Sequence, residues 1–361
     1  KHKIETIRGY GRLQGNGRVN VKGPDGEREV RGRNIILATG SEARMLPGLE
    51  ADPERILTNR EILEVKTIPK SIVIIGAGAV GVEFASVYRR FGSEVVLVEM
   101  LPRILPLADE EISKELEKAL KKQGIQIFTG AKVQRVQKKD SGVEVEVAQG
   151  SNPQVFQAQQ TLVAVGRKPN TEGVGLEKTR AETERGFVKT DPYMQTAEPN
   201  LYAIGDIVLG APQLAHAASM EGIVAVGRIC GKPVPPVNFE QVPDCIYCEP
   251  QVASVGLSEA KAREMGHAVK VGRFSFRASS KASIINSEEG FIKLVCEESH
   301  GEILGAHMIG PSVTELIAEL VIAMRLEGTA EDLMYTVHAH PTLSEAVLDA
   351  ANSVYSVTIN A

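Results

Sequence analysis

The sequence predicts an α/β protein closed by a separate α+β domain, and three observations predict it. Between residues 71 and 128, short β-branched runs alternate with helical periodicity, the pattern of a parallel sheet with helices packed on it. A Gly-x-Gly-x-x-Gly turn joins the first of those strands to its helix. Beyond a linker holding Pro233, Pro235 and Pro236, residues 241–361 mix strands with two helices and read as a domain of their own.

The bulk properties bound the function. A chain of 361 residues has room for two or three domains. Its formal net charge of −5 gives no global pull toward nucleic acid or anionic membrane, so neither is expected as a partner. The apolar runs are strand-sized and broken by glycine or charge, too short to span a bilayer. Four cysteines, Cys230, Cys245, Cys248 and Cys296, are too few for a secreted disulfide scaffold, and a cytoplasmic protein is expected. The chain opens Lys1-His2-Lys3-Ile4, without an initiator Met and straight into strand-like sequence, so its true N-terminus is expected to be missing.

The elements follow in order. Strands over 18–21 and 29–37 flank the Gly23-Pro24-Asp25-Gly26 turn, a hairpin signal, and Ile35 to Ser41 runs as a buried strand into a glycine turn. Pro47, Pro53 and Pro69 punctuate a connection. Then come a strand over 71–75, a helix over 80–91 stopped by Gly92, and a strand over 94–98. Asp109 caps a helix whose Ile112, Leu116 and Leu120 recur every four positions until Gly124, and a short strand covers 125–128. Strands return over 132–165. A region over 187–238 carries Leu201 to Asp206 and a helix over 214–229 ended by Gly231. The last part holds strands over 252–255, 269–276, 291–296 and 303–309 and helices over 312–327 and 342–353.

The turn Gly76-Ala77-Gly78-Ala79-Val80-Gly81 carries the first chemistry. Gly76 permits the tight turn, Gly78 lets the backbone approach a pyrophosphate at the helix N-terminus, and Gly81 lets helix and strand pack closely. Val82 and Glu83 follow in the first turns of that helix and are expected to belong to the cofactor site. Glu99 ends the second strand, 23 positions after Gly76. A carboxylate there accepts hydrogen bonds from the adenosine ribose hydroxyls and repels a 2′-phosphate, which predicts a Rossmann-like NAD site that rejects NADP.

A second constellation is His340-Pro341-Thr342-x-x-Glu345. Pro341 suits the first turn of a helix, so His340 is expected just before that helix, with Glu345 turning back onto its ring. A carboxylate on one ring nitrogen fixes the tautomer and raises basicity at the other. His338 reads as packing, with a supporting place beside His340 as the alternative. Cys245-Ile246-Tyr247-Cys248 imitates a redox or zinc motif, but residues i and i+3 of a strand face opposite sides and no second pair completes a metal set; no metal is expected.

Ala38-Thr39-Gly40-Ser41, the glycine turn with Glu83, Val165-Gly166-Arg167-Lys168-Pro169-Asn170, Ala203-Ile204-Gly205-Asp206 and His338-Ala339-His340-Pro341-Thr342-Leu343-Ser344-Glu345 occur in this order. The set resembles the flavin-dependent pyridine nucleotide–disulfide oxidoreductases over the whole chain, and among them most resembles those that oxidise dihydrolipoyl groups. The resemblance implies FAD and NAD as cofactors. It divides the chain into a partial FAD-binding domain (1–68), the NAD-binding domain (69–186), an FAD-contacting segment (187–240) and a dimerisation domain (241–361). It implies that Tyr10-Gly11 meets the FAD adenine, that Thr39, Gly40 and Ser41 line the flavin pyrophosphate, and that Asp206 binds the ribityl chain. Gln213-Leu214-Ala215-His216 would face the flavin ring, with Gln213 standing where Met is more usual and His216 given no chemistry. Val133 and Gly166 match positions flanking the NAD.

The same resemblance marks what is absent: an earlier Gly-x-Gly-x-x-Gly unit for FAD and a redox pair spaced Cys-x-x-x-x-Cys. About one hundred residues are expected to be missing on this reading, and the chain alone is expected to be inactive. The implied activity is oxidation of dihydrolipoyl to lipoyl groups with FAD-mediated reduction of NAD+. His340 would deprotonate the dithiol and reach the disulfide of the other subunit of a homodimer. Dihydrolipoyl domains of 2-oxoacid dehydrogenase or glycine-cleavage complexes are the implied partners. Glu99 argues against an NADP-linked glutathione reductase, and a C-terminus ending Thr358-Ile359-Asn360-Ala361 lacks the extra Cys pair of a mercuric reductase. A disulfide-free nicotinamide transhydrogenase and a non-catalytic nucleotide-binding module remain as alternatives.

Overall fold

A computed structural model describes residues 3–150 and 152–357. Lys1-His2 and Thr358 to Ala361, on which two of the expectations above rest, lie outside the described residues. The chain forms two compact units, Lys1–Glu42 with Arg167–Phe239, and Ala43–Gly166 with Glu240–Ala361.

In the first unit, Tyr10–Gly15, Arg18–Gly23 and Gly26–Arg31 form an antiparallel three-stranded sheet. Ile35–Leu37 pairs in parallel with Leu201–Ala203, and the helix Ala215–Ile229 follows. Leu13, Leu37, Val174, Leu176, Val188, Leu201 and Ile207 fill the core. The expected strand over 29–37 is therefore two strands. Gly32 breaks it, donating its N–H to Gly17 O at 2.9 Å, and Ile35 is drawn away by its bond to Asn200 O. β-propensity marks residues fit for a strand but not which partner each will take.

The second unit holds a five-stranded parallel sheet in the order Ile56–Leu57, Gln160–Val163, Ser71–Ile75, Glu94–Val98, Gln126–Phe128. Ile72 to Ile75 are all buried, as a strand covered on both faces requires. The helix Ala79–Arg90 ends before Gly92, which takes φ +95°. Asp109 caps Glu110–Lys122 by accepting from Glu111 N, and Ile112, Leu116 and Leu120 are buried on one face. Lys132–Lys139, Gly142–Gln149 and Asn152–Ala158 form an antiparallel sheet. The C-terminal part is an antiparallel sheet ordered Asp244–Ile246, Gln251–Gly256, Ile303–Gly310, Phe291–Glu297, Val269–Ser275. The helices Val313–Arg325 and Glu345–Val354 share its core through Ile317, Leu320, Val347 and Ala350.

Two boundaries and one helix differ from expectation. Residues 43–68 belong with the parallel sheet because Ile56 and Leu57 extend it and are buried in it. Residues 167–186 belong to the first unit, where Leu13 N donates to Val174 O at 2.8 Å. The last helix starts at Glu345, not 342, so Pro341 lies outside it. Thr342 spends its hydroxyl on Ala339 O and its N–H on Glu345 Oε2, local bonds that compete with a helical turn.

Candidate nucleotide and acid–base sites

In the second unit the glycine turn sits between Ser71–Ile75 and Ala79–Arg90. Gly76 has φ +99°, and a Cβ on it would stand 2.3 Å from Ala164 O. A Cβ on Gly81 would lie 1.9 Å from Gly76 O, so the helix can close onto the turn only without a side chain there. A Cβ on Gly78 would meet open space, which leaves the backbone open to a ligand. Gly78 is the N-cap and no side chain caps the helix, so the first-turn N–H groups of Ala79, Val80 and Gly81 remain available to a phosphate. These features fit the pyrophosphate of a dinucleotide.

Glu99 is buried beside this turn. Its Oε2 accepts from Ala77 N at 2.7 Å and its Oε1 from Leu101 N at 2.8 Å. The carboxylate is held by the turn itself, and each oxygen keeps a second lone pair for a ribose hydroxyl. Val82 is buried in the core. Glu83 is half-buried and its Oε1 accepts from Tyr247 N at 2.9 Å. Burial pushes its carboxyl above the usual range, against the Tyr247 N–H and with the help of Asp244. Val133 packs half-buried against the core cluster to which Ile75 and Val98 belong. Gly166 O accepts from Arg44 N, at the end of the Ala164–Gly166 segment against which Gly76 closes.

In the first unit, two of the ordered motifs meet. Thr39 Oγ1 donates to Asn170 O at 2.6 Å, and Asn170 N donates to Gly40 O at 2.9 Å. Ser41 Oγ donates to Asp206 Oδ2, while Arg167 donates through Nε to Ser41 Oγ at 2.5 Å and through Nη2 to Ser41 O at 2.7 Å. Arg167 also lies 3.6 Å from Asp206. Asp206 is thus held by one oxygen, and the other can accept a ligand hydroxyl. Gln213 Nε2 donates to Asp206 O, and the helix begins at Ala215 after Leu214 without a side-chain cap. His216 forms the first turn. A cavity of about 450 Å³ is lined by Tyr10, Gly11, Thr39, Lys168 and Asn170 among others, room for part of a nucleotide where the adenine was expected. These residues fit FAD.

The acid–base pair is in the second unit. His340 Nδ1 lies 2.9 Å from Glu345 Oε1, and Glu345 Oε2 accepts from Thr342 N at 2.8 Å. Burial raises the Glu345 carboxyl, but the Thr342 N–H and His340 outweigh it and hold the group below the usual carboxylate range. An ionised Glu345 can only accept, so His340 Nδ1 carries a proton and, in the neutral ring, the lone pair is on Nε2. The His340 side chain is 70% exposed, which leaves Nε2 open to a proton donor. A small cavity lined by Phe274, Ser279, His340, Glu345 and Asp349 adjoins the pair.

Cys245 and Cys248 fall into separate cores. The strand ends at Ile246, so the divergence comes from the turn after it rather than from strand alternation. Burial pushes the Cys245 thiol up to about 11 and the Cys248 thiol to about 12, leaving them protonated and unreactive at neutral pH. Among the described residues, no group of three or more His, Cys, Asp or Glu is placed to hold a metal ion, and no helix is long and apolar enough to cross a membrane.

Residues 1–222 match the family profile of the pyridine nucleotide-disulphide oxidoreductases, and residues 242–351 match the dimerisation domain of the same family. The chain belongs to the pyridine nucleotide-disulphide oxidoreductase family. It is 46% identical to a dihydrolipoyl dehydrogenase of Chlorobaculum tepidum, over 97% of this chain and 75% of that protein. It is 43% identical to a dihydrolipoyl dehydrogenase of Bacillus subtilis, over 97% and 76%. Among solved structures it is similar to LpdA from Mycobacterium tuberculosis, with a TM-score of 0.89 and 27% identity over 96% of this chain and 76% of that one. It is also similar to the HOCl-induced flavoprotein disulfide reductase RclA from Escherichia coli, with a TM-score of 0.88 and 26% identity over 97% and 79%. This pyridine nucleotide-disulphide oxidoreductase thus combines α/β nucleotide-binding domains with a C-terminal dimerisation domain.

Three side chains of this oxidoreductase were not singled out from sequence. Arg167 clasps Ser41 and Asp206. Glu221, fully buried, accepts from Gly205 N with Oε2, and burial raises its carboxyl. Glu319 pairs with His338. Arg167 stood inside a quoted motif and could have been found there. Glu221 and Glu319 lie on helical faces whose pattern does not distinguish a paired acid from a solvated one.

Proposed function

We propose that this chain serves an enzyme that oxidises dihydrolipoyl groups to lipoyl groups and passes the electrons, through FAD, to NAD+. The observation that carries the reading is the His340–Glu345 pair, with Nε2 open and Nδ1 held by an ionised carboxylate. Only a thiolate attacks a disulfide, so a dithiol substrate needs a base of this kind. His340 takes a thiol proton at Nε2, and the carboxylate of Glu345 stabilises the imidazolium that results. Bound flavin would relay the electrons between the thiol chemistry and the nicotinamide. Glu99 and the first turn of Ala79–Arg90 hold the dinucleotide, and Ser41, Arg167 and Asp206 hold the ribityl side of the flavin.

The 361 residues contain no two cysteines five positions apart, and the buried thiols described above are unsuited to exchange. The proposed activity is therefore that of an enzyme whose redox disulfide comes from residues outside them. A homodimer is proposed from the match to the dimerisation domain, with dihydrolipoyl domains of 2-oxoacid dehydrogenase or glycine-cleavage complexes as partners.

The full-length protein should reduce NAD+ with dihydrolipoamide. His340→Gln should lower the rate by about 10²–10⁴-fold, the usual contribution of a positioned general base. Wild-type activity in that variant would sink the assignment. Hydride transfer between nicotinamide nucleotides without dihydrolipoamide oxidation would replace the reading with a transhydrogenase.

A further inference from the structure

His338 was expected to pack or to support His340 from beside it, and its ring is differently engaged from that of His340. Nδ1 lies 2.9 Å from Thr336 O and Nε2 lies 2.7 Å from Glu319 Oε1. A carbonyl oxygen only accepts, so Nδ1 carries a proton. The opposite nitrogen faces a carboxyl oxygen, and without a proton between them two lone pairs would meet at 2.7 Å. The bond between them therefore contains one proton, carried by the ring or by the carboxyl. The His338 side chain is 5% exposed, against 70% for His340, so water competes little for this bond. With both nitrogens committed, His338 is an anchor and not a base.

The anchor matters because of what it holds. Tyr335 N and Thr336 N are bonded to the preceding helix, at Glu331 O and Leu333 O. From there to the bond of Ala346 N to Leu343 O, among the described residues, no backbone-to-backbone hydrogen bond ties residues 337–341 to another element. Val337 is 96% exposed and contributes no packing. The bonds that involve the side chains of His340, Thr342, Ser344 and Glu345 stay within 339–345. Glu345 joins this local set to the helix Glu345–Val354, and the His338–Glu319 bond, nineteen residues apart, ties the loop to a second helix, Val313–Arg325.

We propose that His338, through its bond to Glu319, is a positioning residue for His340. The pair clasps the 336–342 loop to the Val313–Arg325 helix and fixes where the His340 ring stands relative to Glu345. This rests on the reading of His340 as the base. A base displaced by about an ångström can lose up to about 100-fold in rate, so the clasp acts on turnover rather than on nucleotide binding.

The test uses the full-length protein with ¹⁵N-labelled histidine. NMR should show both ring nitrogens of His338 hydrogen-bonded and His340 as the single Nδ1–H tautomer. In His338→Ala and in Glu319→Gln, the His340 signal should change to a mixture of tautomers. The kcat for dihydrolipoamide should fall about 10- to 100-fold, with the KM for NAD+ unchanged. His338→Gln keeps one donor toward Glu319 and should recover part of the kcat. Glu319→Gln is near-isosteric and half-exposed, so it reports even if His338→Ala does not fold. An unchanged His340 tautomer with kcat within twofold of wild type would overturn the proposal. So would a loss shared equally by kcat and NAD+ affinity, which marks general structural damage. If the wild type does not oxidise dihydrolipoamide, the functional reading fails separately, and the tautomer shifts still decide whether the clasp positions His340.

Discussion

Lys293 Nζ lies 3.0 Å from Asp109 Oδ2, and both side chains are buried, at 2% and 4% exposure. Asp109 also caps the Glu110–Lys122 helix, so one carboxylate serves a helix end and an ion cluster. Glu111 at 2.6 Å and Glu259 at 3.0 Å complete the shell around the ammonium. Burial works to lower the Lys293 value, but the three carboxylates outweigh it and raise it above the ordinary range.

Removing one partner from a buried cluster leaves the other charge uncompensated. Lys293→Met should therefore destabilise the protein by about 3–5 kcal/mol, read as a lower urea midpoint. Adding Asp109→Asn should recover part of that loss. An unchanged midpoint in the single variant would mean the cluster is solvated and does not hold the fold.

Acid should unpick the same cluster from its rim. The Arg273 hydrogen bond, against burial and with Lys293, lowers the Glu111 carboxyl from 4.5 to about 2. A depressed folded-state value stabilises the fold above the unfolded value of 4.5, and that contribution is lost as the pH falls toward 2. Urea midpoints measured from pH 6 to pH 2 should decline through this window. Glu111→Gln should start lower at pH 6 and decline less steeply. Parallel curves would remove Glu111 from the explanation.

On the proposed reading, Glu99 sets the nucleotide preference by charge and by holding the turn. Glu99→Ala frees the buried Ala77 N–H, a loss of about 1–3 kcal/mol in stability, and removes the repulsion toward a 2′-phosphate. The ratio of kcat/KM for NADP+ over NAD+ should rise by about tenfold, equivalent to about 1.4 kcal/mol. A fixed ratio would show that discrimination lies elsewhere.

Gly81→Ala should separate the helix from its turn, because the new Cβ would meet Gly76 O at 1.9 Å, far inside contact distance. Overpacking of this kind costs about 1–3 kcal/mol or more. NADH fluorescence titration should show saturable binding in the wild type and none in the variant at the same concentrations.

The parallel strands, the Asp109 cap, the glycine turn and the His340–Glu345 pair were legible in the sequence. Each is written within a few residues: a period, a cap, a turn, or two groups five positions apart. The break in the 29–37 strand was not, since Ile35 leaves its neighbours to pair near Leu201, far along the chain. Nor was the start of the last helix, where the bond of the Thr342 hydroxyl to Ala339 O displaced the turn that Pro341 suggested.

The sequence by itself determined the glycine turn, its acidic partner Glu99, the His340–Glu345 pair and the order of motifs that marks the family. Only the tertiary structure decided that Ile56–Leu57 joins the parallel sheet, that Asp109 meets Lys293 across 184 positions, and that Glu319 receives His338. The physical reason is range. Backbone geometry and local hydrogen bonds act over a turn or two and leave periodic traces in the chain. The partner of a buried charge or an edge strand is chosen when distant segments pack, and exclusion of water then makes that pairing strong.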